Sequence, residues 1–403
     1  MAESRLHQLS ELSQSVWVDS LSREWLETGE LARMLREDTV VGVTSNPTIF
    51  EKALSSRRVD PRALSTGQSR RSAGKAHAPE GGTASGASTG DWYDEQLRQV
   101  LQEERDPKEI FYRLAVEDIK DALDLLRPVW DGGEGRKGYV SMEVDPNLAY
   151  EEEATIEEAL RFHEWIDRPN LFVKIPATEP GLGAIEECIA RGRPINVTLI
   201  FSLERHAEVA EAYIRGLERL VEAGGDPSRV ASVASFFVSR VDTEADKRLE
   251  AIGTEEALAL RGQLAIANAK LAYERYKEIF SGERWERLAA AGASKQFCLW
   301  ASTSTKNPEY RDVMYVEELI GPETVNTMPK ETIEAFQDHG RVELTLERGL
   351  DEARQLFEDL RRVGVDYDDV TDTLEREGVE KFSDSFAQLL DGVRAKQGEL
   401  APA

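Results

Sequence analysis

Eight short runs rich in β-branched, aromatic and aliphatic residues recur along the chain, with helical patterns between most of them. They are SVWVDS, VVGVTS, GYVSMEV, LFVKIP, INVTLIF, VASVASFFV, QFCLWAS and TVNTMP. In ATIEEALRFHEWID, Thr155 and Glu158 have the spacing of a capping box. SLERHAEVAEAYIRGLERLVEAGG predicts a helix from a Ser202 N-cap to Gly224 and Gly225. TEEALALRGQLAIANAKLAYERYKEIF predicts one further long helix. Alternation of this kind predicts an α/β fold, a (β/α)8 TIM barrel with additional N- and C-terminal helices. A doubly wound open sheet is the rival arrangement.

The 403 residues are read as a single barrel domain spanning 1–403. Residues 55–90 break the rhythm: Ser, Gly, Ala and Arg dominate, and apolar periodicity is almost absent. Such composition buries too little surface to order itself, which predicts a flexible insertion. After Pro329 a helical extension, about 330–403, ends in KFSDSFAQLLDGVRAK and could lie across one end of the barrel.

The net charge of −26 argues against nucleic acid as a partner, since that requires a basic footprint. An anionic substrate would need a locally basic site set against this global field. The N-terminus has no charged-then-apolar signal pattern, and no apolar run approaches membrane-spanning length. Cys188 and Cys298 are the only cysteines, and the five histidines are scattered. A soluble cytoplasmic protein with no structural metal and no membrane partner is the expectation; Cys188, Cys298 and His163 read as packing residues.

Within NLFVKIPATEPG, Lys174 interrupts an apolar run. A lysine is seldom buried without a partner or a task, because its ammonium is costly to desolvate. Parallel barrels collect their active sites at the C-terminal strand ends, and Lys174 lies near that end of the fourth strand. An amine enclosed by apolar groups has its pKa lowered and becomes a nucleophile suited to Schiff-base formation with a ketone or aldehyde. The bland alternative is a snorkelling or carboxylate-paired lysine at a strand end.

The other strand ends carry polar groups too: Asp19 on the first, Thr44, Ser45 and Asn46 on the second, and Glu143 on the third. Asn196 and Thr198 follow on the fifth, Ser235 and Arg240 on the sixth, and Ser302 with Lys306 after the seventh. Imine chemistry on a sugar needs a base for the substrate hydroxyl and proton delivery to the departing one. Asp19 and Glu143 could divide those roles, Thr198 could hold a relay water, and Arg240 and Lys306 could bind a phosphate.

Taken in order, SVWVDSLSREWL, VVGVTSNPTIFEKAL, VSMEVDPNLAYE, LFVKIPAT, INVTLIFSLERH, SFFVSRVD and WASTSTKNPEY resemble the transaldolase family, of the long bacterial type. The resemblance runs from about residue 10 to 340, apart from the insertion. It implies a class I aldolase barrel that carries a dihydroxyacetone unit between sugar phosphates of the non-oxidative pentose phosphate pathway. The donor would be sedoheptulose 7-phosphate or fructose 6-phosphate, and the acceptors glyceraldehyde 3-phosphate and erythrose 4-phosphate. By motif position, Lys174 matches the Schiff-base lysine and Asp19 the acid/base of carbon–carbon cleavage. Glu143 and Thr198 match the pair working through a catalytic water. Thr44, Asn46 and Asn196 fall among the substrate-binding positions, as do Ser235, Phe237 and Arg240 at the phosphate end.

Two departures stand out. The sixth strand reads SFFVSR where short members have Ser-Pro-Phe before a Gly-Arg pair, and ASTSTKNP replaces their Ala-Ser-Phe-Arg context. Ser302 fits the latter, and Lys306 would supply the second cation. No cofactor is required, because the imine is itself the electron sink. Oligomeric state stays open, a homodimer being one outcome.

Fructose 6-phosphate aldolases use the same imine but release free dihydroxyacetone; they carry Gln where Glu143 stands and Tyr at the Phe237 position. Both residues here favour transfer. A catalytically silent barrel serving as a binding protein is the alternative from another class. GLGAIEE, residues 181–187, lacks the third glycine of a dinucleotide fingerprint and reads as a loop entering a helix.

Overall fold

In the computed structural model, which describes residues 4–55, 92–133 and 135–400, eight parallel strands close into a barrel in sequence order. They are β1 (Gln14–Val18), β2 (Val40–Val43), β3 (Tyr139–Glu143), β4 (Leu171–Pro176), β5 (Ile195–Ile200), β6 (Ser232–Phe237), β7 (Phe297–Ala301) and β8 (Thr324–Met328). All eight coincide with the runs read from the sequence. Closure comes from β1 pairing with β8, in unbroken register from Gln14 opposite Thr324 to Val18 opposite Met328. The expected insertion at 55–90 lies, apart from Ser55, outside the described residues.

The pleat divides the interior into an apolar floor and a polar mouth. Side chains alternate across a strand, so residues two apart share a face. Trp17, Tyr139 and Phe172 fill the floor, with Tyr139 and Phe172 stacked at 4.0 Å between centroids and Trp17 against Phe172 at 6.0 Å. Gly42 is required there: a Cβ would stand 2.4 Å from the Trp17 indole. Two residues beyond Trp17, Gly42 and Phe172 come Asp19, Thr44 and Lys174, and four beyond Tyr139 comes Glu143. The same inward face therefore changes from aromatic to ionisable within two to four residues. The opposite face of the strands packs on the surrounding helices, where Phe236 meets Trp300 edge-on at 6.2 Å.

Two helix expectations need correction. Thr155 is not an N-cap: the helix runs Glu152–Ile166, and the Thr155 hydroxyl donates instead to the Leu148 carbonyl at 2.8 Å. Glu158 turns away from the helix start to accept the Asp145 amide at 2.5 Å and to pair with Lys108 at 2.9 Å. The long helix expected after Thr254 is two, Glu255–Leu258 and Leu264–Ile279. Gly262, at φ +70, breaks it, and a side chain there would collide with the Tyr310 ring. Ser202 does cap Leu203–Glu222, accepting the Arg205 amide at 3.0 Å.

The last helix, Tyr367–Leu400, crosses the C-terminal mouth. Phe382, Phe386 and Leu389 form its buried stripe at helical spacing, and Phe386 packs on Phe111 at 5.8 Å. Cys188 and Cys298 are buried and unbridged, and His163 is buried with Nε2 3.1 Å from the Pro194 carbonyl. Among the described residues, no helix is long and apolar enough to cross a membrane.

Behind β6 lies a second buried polar layer. Asp242 accepts the Ala265 amide at 2.7 Å and the Tyr315 hydroxyl at 2.8 Å, and burial pushes its carboxyl up to about 7. A raised folded-state value means the native protein holds this proton where the unfolded chain has lost it. Stability from this group is therefore full in acid and declines as pH rises from about 4 to about 7, by roughly 1.4 kcal/mol per pH unit at most. Replacing Asp242 with Asn should flatten that part of the profile. Melting temperatures of both proteins across pH 4–8 check this, and parallel profiles would contradict it.

Candidate active site

The C-terminal mouth holds a cavity of about 850 Å³. Asp19, Thr44, Asn46, Lys174, Thr198, Ser235, Phe237, Arg240, Ser302 and Lys306, picked from separate stretches of sequence, all line it. Glu143 and Asn196 do not, although each is opposite Lys174 in strand register.

Lys174 is 5 % exposed, and its Nζ donates to Glu143 Oε2 at 3.1 Å and to the Ser45 carbonyl at 3.2 Å. Strand register produces the ion pair, because Glu143 and Lys174 are directly opposite on β3 and β4. The lysine is thus enclosed but carboxylate-paired, which by itself also fits the bland reading. What exceeds that reading is the surroundings. Burial holds the Glu143 carboxyl above its ordinary range against the opposing pull of Lys174, and nearby Asp19 pushes the same way as burial. Glu143 Oε1 and Thr198 Oγ1 are both buried with no hydrogen-bond partner among the described residues. Such atoms are costly unless something in the site engages them.

Asp19 leaves β1 at the rim, where its Oδ1 accepts the Thr44 hydroxyl at 2.7 Å. Thr44 also lies 3.1 Å from Thr327 on β8, so three strands fix the carboxylate's orientation. Asn196 is fully buried: its amide donates to Ser141 Oγ at 3.0 Å and its carbonyl accepts from Ser235 Oγ at 2.7 Å. This Ser141–Asn196–Ser235 chain spans β3, β5 and β6 beneath the cavity and braces Asn196, leaving its second amide hydrogen uncommitted.

Positive charge gathers at one side. Arg240 begins the helix after β6, its guanidinium 5.0 Å from the Phe237 ring and 5.8 Å from Phe382. Lys306 reaches in from the loop after β7, donating to Ser304 Oγ at 2.7 Å. Desolvation lowers both cations' pKa values, and for Lys306 the neighbouring Arg240 and Lys381 add to it. Ser302 adopts φ +57 where this loop departs, and its hydroxyl lies 2.9 Å from that of Ser239.

Several lining residues were not singled out from sequence. Thr327 was findable, being on the inward parity of TVNTMP. Phe382 was not, although its ring stands 5.9 Å from Lys174 Nζ; nothing local in KFSDSF distinguishes it from an ordinary core residue.

A larger recess, about 1180 Å³, lies outside the barrel beside Arg23, Arg113 and Arg161. Those cations are committed to Asp118, Glu103 and Glu109 respectively, so it offers no comparable site. Among the described residues, no group of three or more His, Cys, Asp or Glu could hold a metal ion.

Comparison with known proteins agrees with this geometry. Residues 83–393 match the family model described as transaldolase/fructose-6-phosphate aldolase. A transaldolase of Parafrankia sp. (strain EAN1pec) is 50 % identical over 98 % of this chain and 99 % of its own. One from Frankia alni is 48 % identical over 98 % of this chain and 97 % of its own, and one from Thermobifida fusca is 48 % identical over 97 % of each. With a matching family model over most of its length and near full-length relatives at about half identity, the chain belongs to the transaldolase family.

Proposed function

We propose that this chain is a transaldolase that moves a dihydroxyacetone unit from sedoheptulose 7-phosphate to glyceraldehyde 3-phosphate through an imine on Lys174. The observation that carries the reading is the buried Lys174–Glu143 pair, 3.1 Å apart, opening into a cavity that also holds Asp19 and the Arg240–Lys306 cations. Lys174 passes a proton to Glu143, its neutral Nζ adds to the ketose C2 carbonyl, and the carbinolamine hydroxyl leaves as water. Glu143, with its raised pKa, supplies the proton through a water held against Glu143 Oε1 and Thr198 Oγ1. Asp19 takes the proton of the C4 hydroxyl, the C3–C4 bond breaks, and the aldose phosphate departs while the three-carbon enamine stays on the lysine. The enamine then attacks the acceptor aldehyde, Asp19 returns the proton, and water releases the product ketose.

Arg240 and Lys306 would hold the distal phosphate of either sugar, with Ser235 and Ser302 beside them. Thr44 aims Asp19, and Asn46 faces the substrate hydroxyls. Phe237, packed on Phe201 at 5.1 Å, makes the wall apolar where the simple aldolases carry a tyrosine. This reading takes the protein as a single-domain cytoplasmic enzyme of the non-oxidative pentose phosphate pathway. Its rival, a fructose 6-phosphate aldolase, would release free dihydroxyacetone in the absence of an acceptor.

Three substitutions test the roles. Lys174→Arg should reduce transfer to background with the circular-dichroism spectrum unchanged; normal activity would refute the imine. Asp19→Asn should slow carbon–carbon cleavage roughly 10²-fold or more. Single-turnover measurement should show imine formation much less affected, and equal losses in both steps would remove Asp19 from its role. Glu143→Gln should slow imine formation itself by about tenfold or more, and an unchanged rate would exclude it from the proton relay.

A further inference from the structure

The cation pocket contains a charge that comes from the far end of the chain. Lys381 and Phe382 of the C-terminal helix line the cavity together with Arg240 and Lys306. An exposed lysine on an acidic helix ordinarily pairs along it, and Lys381 has the spacing to do so, with Glu377 four residues before and Asp384 three after. It pairs with neither. Among the described residues, no carboxylate lies within the 4.0 Å of an ion pair from Lys381, Arg240 or Lys306. In a protein of net charge −26, whose other arginines and lysines are largely matched with acids, three unmatched cations in one cavity need an explanation.

Packing fixes where Lys381 is presented. Next to it, Phe382 is buried over Lys174 and Arg240, at 5.9 and 5.8 Å. One turn on, Ser385 Oγ accepts the Thr48 hydroxyl at 2.8 Å and Phe386 packs into the Phe111 cluster. The helix cannot rotate without breaking these contacts, so Lys381 remains beside the mouth. Its pKa is lowered chiefly by Arg240, a sign of closely gathered positive charge.

We propose that Lys381 is a third phosphate-binding cation of the active site, contributed by the C-terminal helix; the assignment rests on the sugar-phosphate reading above. A phosphate ester carries close to two negative charges at neutral pH, and a lysine meets it as a point charge without arginine's fork. With Lys306 on the β7 loop, Lys381 supplies the further charge. Substrate phosphate would then bridge the barrel to its C-terminal helix.

The test uses the full-length enzyme. Lys381→Met, which keeps the aliphatic stem, should raise KM for fructose 6-phosphate about tenfold and weaken competitive inhibition by inorganic phosphate similarly, the scale of a lost charge-assisted hydrogen bond. Lys381→Arg should restore both. Arg376→Met, one charge removed on the same helix outside the cavity, should change neither. Lys381→Met values within twofold of the parent would overturn the proposal, as would equal effects from Arg376→Met, which would make the helix charge a general field. Arg240→Ala separates the two claims. Weakened phosphate inhibition in Arg240→Ala with none in Lys381→Met rejects Lys381 alone. No effect in either variant rejects the phosphate reading of the pocket.

Discussion

The Lys174–Glu143 pair is the interaction around which the rest of the site is arranged. Placing two charged groups in the interior costs several kcal/mol unless geometry and hydrogen bonds offset it. Here parallel register sets the carboxylate opposite the amine, and the Ser45 carbonyl accepts a second hydrogen bond from Lys174 Nζ. The arrangement is incomplete on one side, because Glu143 Oε1 and Thr198 Oγ1 lack partners among the described residues. A pair kept only for stability would close that gap or be replaced by apolar residues of similar volume. On the proposed reading, retaining it sets a proton donor next to a nucleophile.

The barrel makes this tolerable by confining polarity to one end. Trp17, Tyr139 and Phe172 fill the floor so tightly that Gly42 has no room for a side chain. The ionisable residues ride on the same strands, two to four positions further along. Above them the C-terminal helix lays Phe382 over Lys174 and Arg240, placing an aromatic ring beside both cations. The floor, the bracing Ser141–Asn196–Ser235 chain and the roof thus hold the reacting groups from three directions.

What the sequence made legible follows from the strand ends. A parallel barrel gathers its active site at the C-terminal ends of its strands, so Asp19, Thr44, Lys174 and Thr198, polar groups near those ends of short apolar runs, were expected at one site. Depth was not legible. Asn196 is opposite Lys174 in register, yet its amide bonds to serines whose positions on other strands no local pattern reveals. Caps depend on the same kind of distant partner: Thr155 and Glu158 have capping-box spacing, but Leu148, Asp145 and Lys108 claim them. Gly262 was visible in the sequence, but one helical glycine costs only about 1 kcal/mol and does not by itself announce a break. The residues from the last helix were the hardest to see, since Lys381 and Phe382 reach the mouth only through folding of the whole chain.

The central claim is that Lys174 is buried because it forms an imine. Borohydride reduction of the protein with fructose 6-phosphate, followed by peptide mass spectrometry, tests this most directly. A reduced sugar-derived adduct is expected on the peptide containing Lys174 and on no other. A folded sample that yields no adduct, or one labelled at a different lysine, would contradict it.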